Sequence, residues 1–266
     1  MAYSLDPALR RLKDLISKAD SQGLPRSFIS DLQGIEDLIK ARDEYCVSKT
    51  SRPSREMAAL IKETQEHPWQ RVANEGKMGW AISPIFMSGN LEGYVIKFLV
   101  SMSQAKRALD IGMFTGCSAL GMAEVMPSDG KVFACEIEPY LAALGRKFMD
   151  KSPHGKKVEI LLGPALETLN DLARKREKFD FIFIDADKEG YPDYFNICLN
   201  HLLARGGTIA IDNALFLGQP YMSGTPNQGV TRCNNMITSR DDIYYVLMPI
   251  RDGIMLVRRK EDMGGS

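Results

Sequence analysis

Four polar residues stand where apolar runs stop in the second half of the chain: Asp185 and Lys188 after FDFIFI, and Asp212 and Asn213 after GTIAI. Two carboxylates and an amide oxygen, with no histidine or cysteine among them, make a hard oxygen donor set suited to Mg²⁺, or to Ca²⁺ or Mn²⁺ in its place. The set can act together only if the two runs are neighbouring strands whose ends meet, as successive strands often are. Lys188, three residues beyond Asp185, then stands over the same rim as a candidate general base. Singly, each residue has a plainer use. Asp212 and Asn213 suit an Asx turn, Asp185 suits a helix cap, and Lys188 can pair with Glu189 at the surface. Their shared position favours chemistry.

A second group lies upstream in DIGMFTGCS, residues 110–118. Gly112 and Gly116 permit a tight turn and a close ligand approach, but their spacing is not that of a dinucleotide fingerprint. Asp110 beside this turn would repel a phosphate and suits a ligand carrying an ammonium group. Glu136 closes the next apolar run, near the spacing of about 20 residues at which an acid receives ribose hydroxyls in such folds. S-adenosylmethionine, with an ammonium, a sulfonium, a ribose and no phosphate, accounts for both acids.

The elements that must position these residues are legible as an alternation. Strands RALDIGMF, KVFACEIE, KVEILLG, FDFIFIDA and GTIAIDN are separated by the amphipathic helices SALGMAEVM, PYLAALGRKFMDK, PALETLNDLARKRE and YPDYFNICLNHLL. Short β-branched and aromatic runs between helices predict parallel βαβ units with both sheet faces covered, a doubly wound α/β domain. A helix around Val230 to Arg240 then precedes IYYVLMPI and IMLVRR, joined only by Arg251, Asp252 and Gly253. So short a link makes those two strands antiparallel neighbours. Upstream, three- and four-residue apolar spacing predicts helices in DPALRRLKDLISKAD, SFISDLQGIEDLIKARDEY, SREMAALIKETQEHP and LEGYVIKFLVSMSQ, punctuated by Pro25, Pro53 and Pro68. The expected organisation is a helical extension or cap over 1–86, a ligand-binding domain over 87–260 and a disordered tail over 261–266.

Bulk properties narrow the partner. Lys plus Arg and Asp plus Glu both number 34 in 266 residues, so no net field would hold a polyanion, and no nucleic acid is expected. The five cysteines are widely spaced without a Cys-x-x-Cys, which fits a reducing compartment better than a disulfide framework. The first residues lack a secretory apolar stretch, and no run is long and uncharged enough to span a bilayer, so a cytoplasmic protein free of membrane is expected.

The segments DIGMFTGCSAL, ACEIEPY, GPALETL, FIFIDADKEGY, IAIDNALFLG and PIRDGIMLVRR occur in the order found in class I O-methyltransferases of the caffeoyl-CoA and catechol type. The chain resembles that family over roughly Met87 to Lys260. Its wording is most similar to the cyanobacterial O-methyltransferases of mycosporine and gadusol pathways, through MFTGCSALGMAE, SPHGKK, PALETL and MPIRDGI. The resemblance implies a Rossmann-like methyltransferase fold: a seven-stranded, mostly parallel sheet with a C-terminal antiparallel hairpin and an N-terminal helical extension. It implies that Ser88, Asp110, Gly112, Met113, Ser118, Glu136, Ile137, Ala165, Asp187 and Tyr194 hold or border S-adenosylmethionine, with Glu136 on the ribose and Ala165 by the adenine. It further implies a metal on Asp185, Asp212 and Asn213, Lys188 as the base, a segment Met87–Gly93 closing over the cofactor, and a homodimer. Asp110 stands where the family more usually has Glu, and Cys117 where it has Tyr.

The expected activity is methyl transfer to a hydroxyl of a small acceptor with two adjacent oxygens, catechol-like or a hydroxylated cyclohexenone. The loop Ala214–Gln228 and the N-terminal helices would set specificity; Phe216, Tyr221 and Met222 could wall a flat ring or merely pack. A nicotinamide oxidoreductase lacks its third glycine here. A Ser-His-Asp hydrolase lacks Gly-x-Ser-x-Gly and a placed histidine. A catalytically inactive methyltransferase-like binding protein is the remaining alternative, disfavoured by the retention of Asp185, Lys188, Asp212 and Asn213.

Overall fold

The computed structural model describes residues 6–80, 82–224 and 228–264. Its centre is one seven-stranded sheet in the order β3-β2-β1-β4-β5-β7-β6. The strands are β1 (Arg107–Ile111), β2 (Lys131–Glu136), β3 (Val158–Leu162), β4 (Phe179–Ile184), β5 (Leu203–Ile211), β6 (Ile243–Met248) and β7 (Ile254–Arg259). β1 to β5 are mutually parallel, while β7 runs antiparallel to both β5 and β6. The doubly wound sheet with a closing hairpin is as the alternation predicts.

Period-two alternation assigns each strand residue to a face. Ile182 and Ile184 of β4 point into a core with Leu169 and Leu172 of α8 (Ala165–Arg174), Phe195 of α9 (Tyr191–Ile197), and Val230 and Ile237 of α10 (Gly229–Thr238). Phe181 and Phe183 point the other way, to Ile96 and Val100 of α5 (Gly89–Met102), Met122 of α6 (Cys117–Val125) and Met149 of α7 (Pro139–Met149). All four β4 side chains are fully buried, each worth about 1.5–3 kcal/mol of transfer free energy. The strand is thereby held on both faces.

Upstream lie α1 (Pro7–Ser21), α2 (Arg26–Ser48), α3 (Arg55–Glu66) and α4 (Trp69–Asn74). The Asp6 carboxylate caps α1 by accepting from the Ala8 and Leu9 amides, and Ser54 caps α3 through the Met57 amide. Met57 and Leu60 of α3 pack on Leu120 and Phe148, so this helix is seated on α6 and α7. α4, six residues between two short loops, is too brief for its periodicity to be read from sequence, and its Trp69 stacks on Phe114. The helix expected through YPDYFNICLNHLL widens to a π-helical turn over Cys198–Leu202 before β5. Of the expected tail 261–266, Glu261 and Asp262 complete a 3₁₀ turn that begins at Lys260, and 265–266 lie outside the described residues. Among the described residues no helix is long and apolar enough to cross a membrane.

Register places the site. Cys135, Ile111, Ile184 and Ile211 pair across β2, β1, β4 and β5 at one level. The next residues, Glu136, Gly112, Asp185 and Asp212, therefore form a row along the carboxyl edge, where open α/β sheets bind ligands. The Asp185 amide donates to the Ile111 carbonyl at 2.8 Å and that of Asp212 to Ile184 at 3.0 Å, which continues the ladder by one residue. Because β7 is antiparallel, the turn 251–253 that leads into it lies at this same edge, with the Ala214 amide donating to Gly253 and that of Leu215 to Asp252.

Candidate active site

The glycine turn is dictated by space. Gly112 has φ +102°, and a Cβ there would lie 2.0 Å from the Asp185 carbonyl oxygen. No other residue fits between β1 and β4 at that point. The turn leads through Gly116 (φ +93°), where a Cβ would meet the Met149 methyl, into the start of α6. Ser118 in the first turn of α6 donates to Asp110 Oδ2 at 2.7 Å. Asp110 is fully buried, and its Oδ1 has no hydrogen-bond partner. Burial pushes its carboxyl up to about 8, against the pull of the Ser118 bond, with Asp185 and Glu136 adding further upward pressure.

At the end of β2, Glu136 is 6% exposed and accepts the Phe114 amide at 2.8 Å on one oxygen and the Glu138 amide at 2.9 Å on the other. Each carboxylate oxygen keeps a lone pair for a further donor. Burial still raises its carboxyl. Ile137 next to it is half exposed, and Ala165 opens α8, partly buried. Met113 is buried among the core side chains behind the turn rather than at its surface.

At the β4 end, the Lys188 ammonium donates to Asp185 Oδ1 at 2.9 Å and to Tyr191 Oη at 2.6 Å. It lies over the Tyr191 ring and 5.8 Å from the centre of Phe216. Both side chains of the Asp185–Lys188 pair are less than one-fifth exposed. Asp187 has a different occupation from its neighbour: its carboxylate accepts the Gly190 amide at 3.0 Å and the Tyr194 hydroxyl at 2.5 Å, capping the turn that aims Lys188. The Tyr194 ring lies against Gly190, where a Cβ would come within 2.4 Å of it. Burial raises both tyrosine hydroxyls, Tyr191 and Tyr194.

At the β5 end, Asp212 is 4% exposed, and its Oδ1 accepts the Asn213 amide at 2.6 Å. Asn213 has φ +56°, a left-handed conformation that Asn tolerates and that ends the strand. Burial and the nearby Asp185 push the Asp212 carboxyl up to about 6. Its neighbour is Glu92 in the first turn of α5, 1% exposed and raised by burial and then by Asp212. Glu92 Oε1 has no hydrogen-bond donor. Two ionised carboxylates are acceptors only, so this pair calls for a proton or a cation between its oxygens.

Three residues at this rim have no mark in the local sequence pattern. Glu92 arrives from α5, and Arg251 and Asp252 arrive from the β6–β7 turn. Asp252 Oδ1 accepts the Leu217 amide at 3.1 Å, and its Oδ2 lacks a donor. Among the described residues no three His, Cys, Asp or Glu side chains form a metal cluster; the expected set has two carboxylates and one amide. A groove of about 810 Å³ lined by His67, Trp69, Arg71 and Pro84 shares no residue with the rim. Of the loop Ala214–Gln228, residues 225–227 lie outside the described residues.

Residues 53–260 match the family model described as O-methyltransferase. A caffeoyl-CoA O-methyltransferase of Zea mays is 31% identical over 242 residues, covering 85% of this chain and 86% of that protein. A catechol O-methyltransferase domain-containing protein of Mus musculus is 36% identical over 163 residues, 59% of this chain and 62% of its own. Among solved structures, a Podospora anserina methyltransferase with S-adenosylhomocysteine bound superposes with a TM-score of 0.69 at 25% identity, covering 85% of this chain and 96% of that one. An O-methyltransferase from Bacillus cereus in complex with S-adenosylhomocysteine gives 0.66 at 25% identity, covering 82% and 97%.

Proposed function

The chain belongs to the S-adenosylmethionine-dependent O-methyltransferase family, and from that premise we propose that it methylates a hydroxyl of a small acceptor carrying two adjacent oxygens, catechol-like or a hydroxylated cyclohexenone. The observation that carries this reading is the row Glu136, Gly112, Asp185 and Asp212 at one sheet edge with the Lys188 ammonium on Asp185. Cofactor acids and acceptor acids thus share one rim.

On this reading Glu136 receives the ribose hydroxyls and Asp110 faces the ammonium. Ser88, Gly112, Ser118 and Ala165 line the cofactor, with Ile137 at its margin, Met113 packed behind the glycine turn, and Asp187 and Tyr194 shaping the turn beside it. Asp185, Asp212 and Asn213 would hold a divalent cation, Mg²⁺ first among them. The unpartnered Glu92 oxygen and the raised Asp212 carboxyl fit such an ion, because positive charge there would relieve acids crowded out of water. When bound, the ion would acidify the acceptor hydroxyl and fix its orientation.

The chain's own residues do the rest. Lys188, entering as the free amine, takes the acceptor hydroxyl's proton at Nζ; Asp185 Oδ1 and Tyr191 Oη hold that nitrogen in place. Phe216, beside Lys188, offers a ring face to a flat acceptor. The N-terminal helices cap the acceptor side: a Cβ on Gly218 would come within 2.6 Å of Pro7 at the start of α1. The exposed Phe98 and Met102 of α5 offer apolar area to a homodimer, and five free cysteines, four of them buried, suit a reducing cytoplasm.

The test is S-adenosylhomocysteine production with vicinal dihydroxy aromatics, caffeoyl-CoA and hydroxylated cyclohexenones, run on the natural protein and on Lys188→Ala. Turnover of one acceptor class, lost in Lys188→Ala with cofactor affinity kept, is expected. Equal turnover by the variant would remove the lysine base.

A further inference from the structure

Arg251 occupies the β6–β7 turn with φ +52°, a left-handed conformation in which a long side chain is uncommon. Its guanidinium does not extend into solvent. Nη1 donates to the Met87 carbonyl at 3.2 Å, to the Ser88 carbonyl in a short contact, and to Glu92 Oε2 at 2.7 Å. Two hydrogens on one nitrogen thus serve three acceptors, all in the segment 87–92. The Arg251 side chain is 18% exposed and that of Glu92 1%, so the ion pair is shielded from water and from salt. The adjacent residue, Asp252, holds the acceptor loop through the Leu215 and Leu217 amides. One turn therefore grips the cofactor side with residue 251 and the acceptor side with residue 252.

We propose that Arg251 is a positioning residue that clamps the segment Met87–Gly93 in its cofactor-closing position and so sets cofactor affinity. This rests on the reading above that the segment closes over S-adenosylmethionine. Without the guanidinium, the carbonyls of Met87 and Ser88 lose their donor and the buried Glu92 carboxyl loses its cationic partner. The segment then spends part of its time displaced, and affinity falls in proportion to the closed fraction.

Two variants separate the clamp from charge balance. Arg251→Gly suits the left-handed turn, and Arg251→Gly with Glu92→Gln also removes the ionisable group that the guanidinium had paired. Amide hydrogen exchange over residues 87–93 is measured on the cofactor-free protein, and S-adenosylhomocysteine affinity by calorimetry. Both variants should exchange faster over 87–93 with β4 unchanged, and both should bind about tenfold more weakly, as a closed fraction near one-tenth requires. Natural exchange and affinity in Arg251→Gly, or their recovery in the double variant, would overturn the clamp. If the single variant does not fold, the double variant decides. Failure of the natural protein to bind S-adenosylhomocysteine would strike the cofactor reading instead, while exchange over 87–93 would still decide the clamp.

Discussion

Replacing Asp110 by Asn removes one ionisable group from the centre of the site and keeps its shape. The natural carboxyl is fully buried, has one partner in Ser118, and titrates at about 8 instead of 3.8 because burial disfavours its charged form. A folded-state pKa above the unfolded one gives stability that is fully present below the unfolded value and lost as pH rises through the folded value. Cofactor-free protein should therefore lose about 4 kcal/mol between pH 5 and pH 8 from this group. In a chain of this size that corresponds to a fall of about 7 °C in melting temperature. Asp110→Asn cannot ionise and lacks this component. Its amide nitrogen costs about 1–3 kcal/mol if unpaired, but equally at every pH, so the slope and not the height of the curve decides. Thermal melts of both proteins from pH 5 to pH 8, with and without S-adenosylhomocysteine, make the comparison. The natural protein should regain stability at pH 8 with ligand, whose ammonium pairs with the carboxylate, and the variant should regain less. Parallel pH curves for the two cofactor-free proteins would refute the burial argument, and equal ligand affinity would refute the ammonium contact.

Gly112→Ala forces a Cβ to 2.0 Å from the Asp185 backbone oxygen at a φ of +102°, so either β1 or β4 must shift. Urea unfolding should show a loss of at least about 3 kcal/mol; a loss below about 1 kcal/mol would mean that the turn adapts. Tyr191→Phe removes the hydroxyl that accepts from Lys188 and leaves the buried ring. Its kcat should fall about tenfold, the effect of one hydrogen bond that orients the base, with S-adenosylmethionine affinity and melting temperature nearly unchanged. An unchanged kcat would show that Asp185 alone positions Lys188.

Much of this arrangement was written in local pattern. Apolar runs that end in Asp or Glu mark parallel strands and their carboxyl ends at once, which is why Glu136, Asp185 and Asp212 could be placed at a rim before any geometry was known, whereas Asp110, read as closing its strand, lies buried inside β1. The pairing of β4 with β5 followed from chain order, and the antiparallel hairpin from a three-residue link. What local pattern does not carry is the reversal at β7. Pairing it antiparallel to β5 brings residues 251 and 252 back to the rim, and nothing near Arg251 announces a partner at Glu92 some 160 positions earlier. Asp187 shows a different limit. Two acids so close in sequence read alike, yet one faces Lys188 and the other caps the turn through Gly190 and Tyr194, a difference set by backbone direction over two residues.

We propose that Asp185, Asp212 and Asn213 hold a divalent cation on which methyl transfer depends. It is tested most directly by S-adenosylhomocysteine production from the best acceptor in Mg²⁺, after EDTA, and after Mg²⁺ is restored, with cofactor affinity measured in parallel. Turnover should be abolished by EDTA and recovered with Mg²⁺, at constant cofactor affinity. Turnover indifferent to EDTA would contradict it and leave the three residues to bind the acceptor directly.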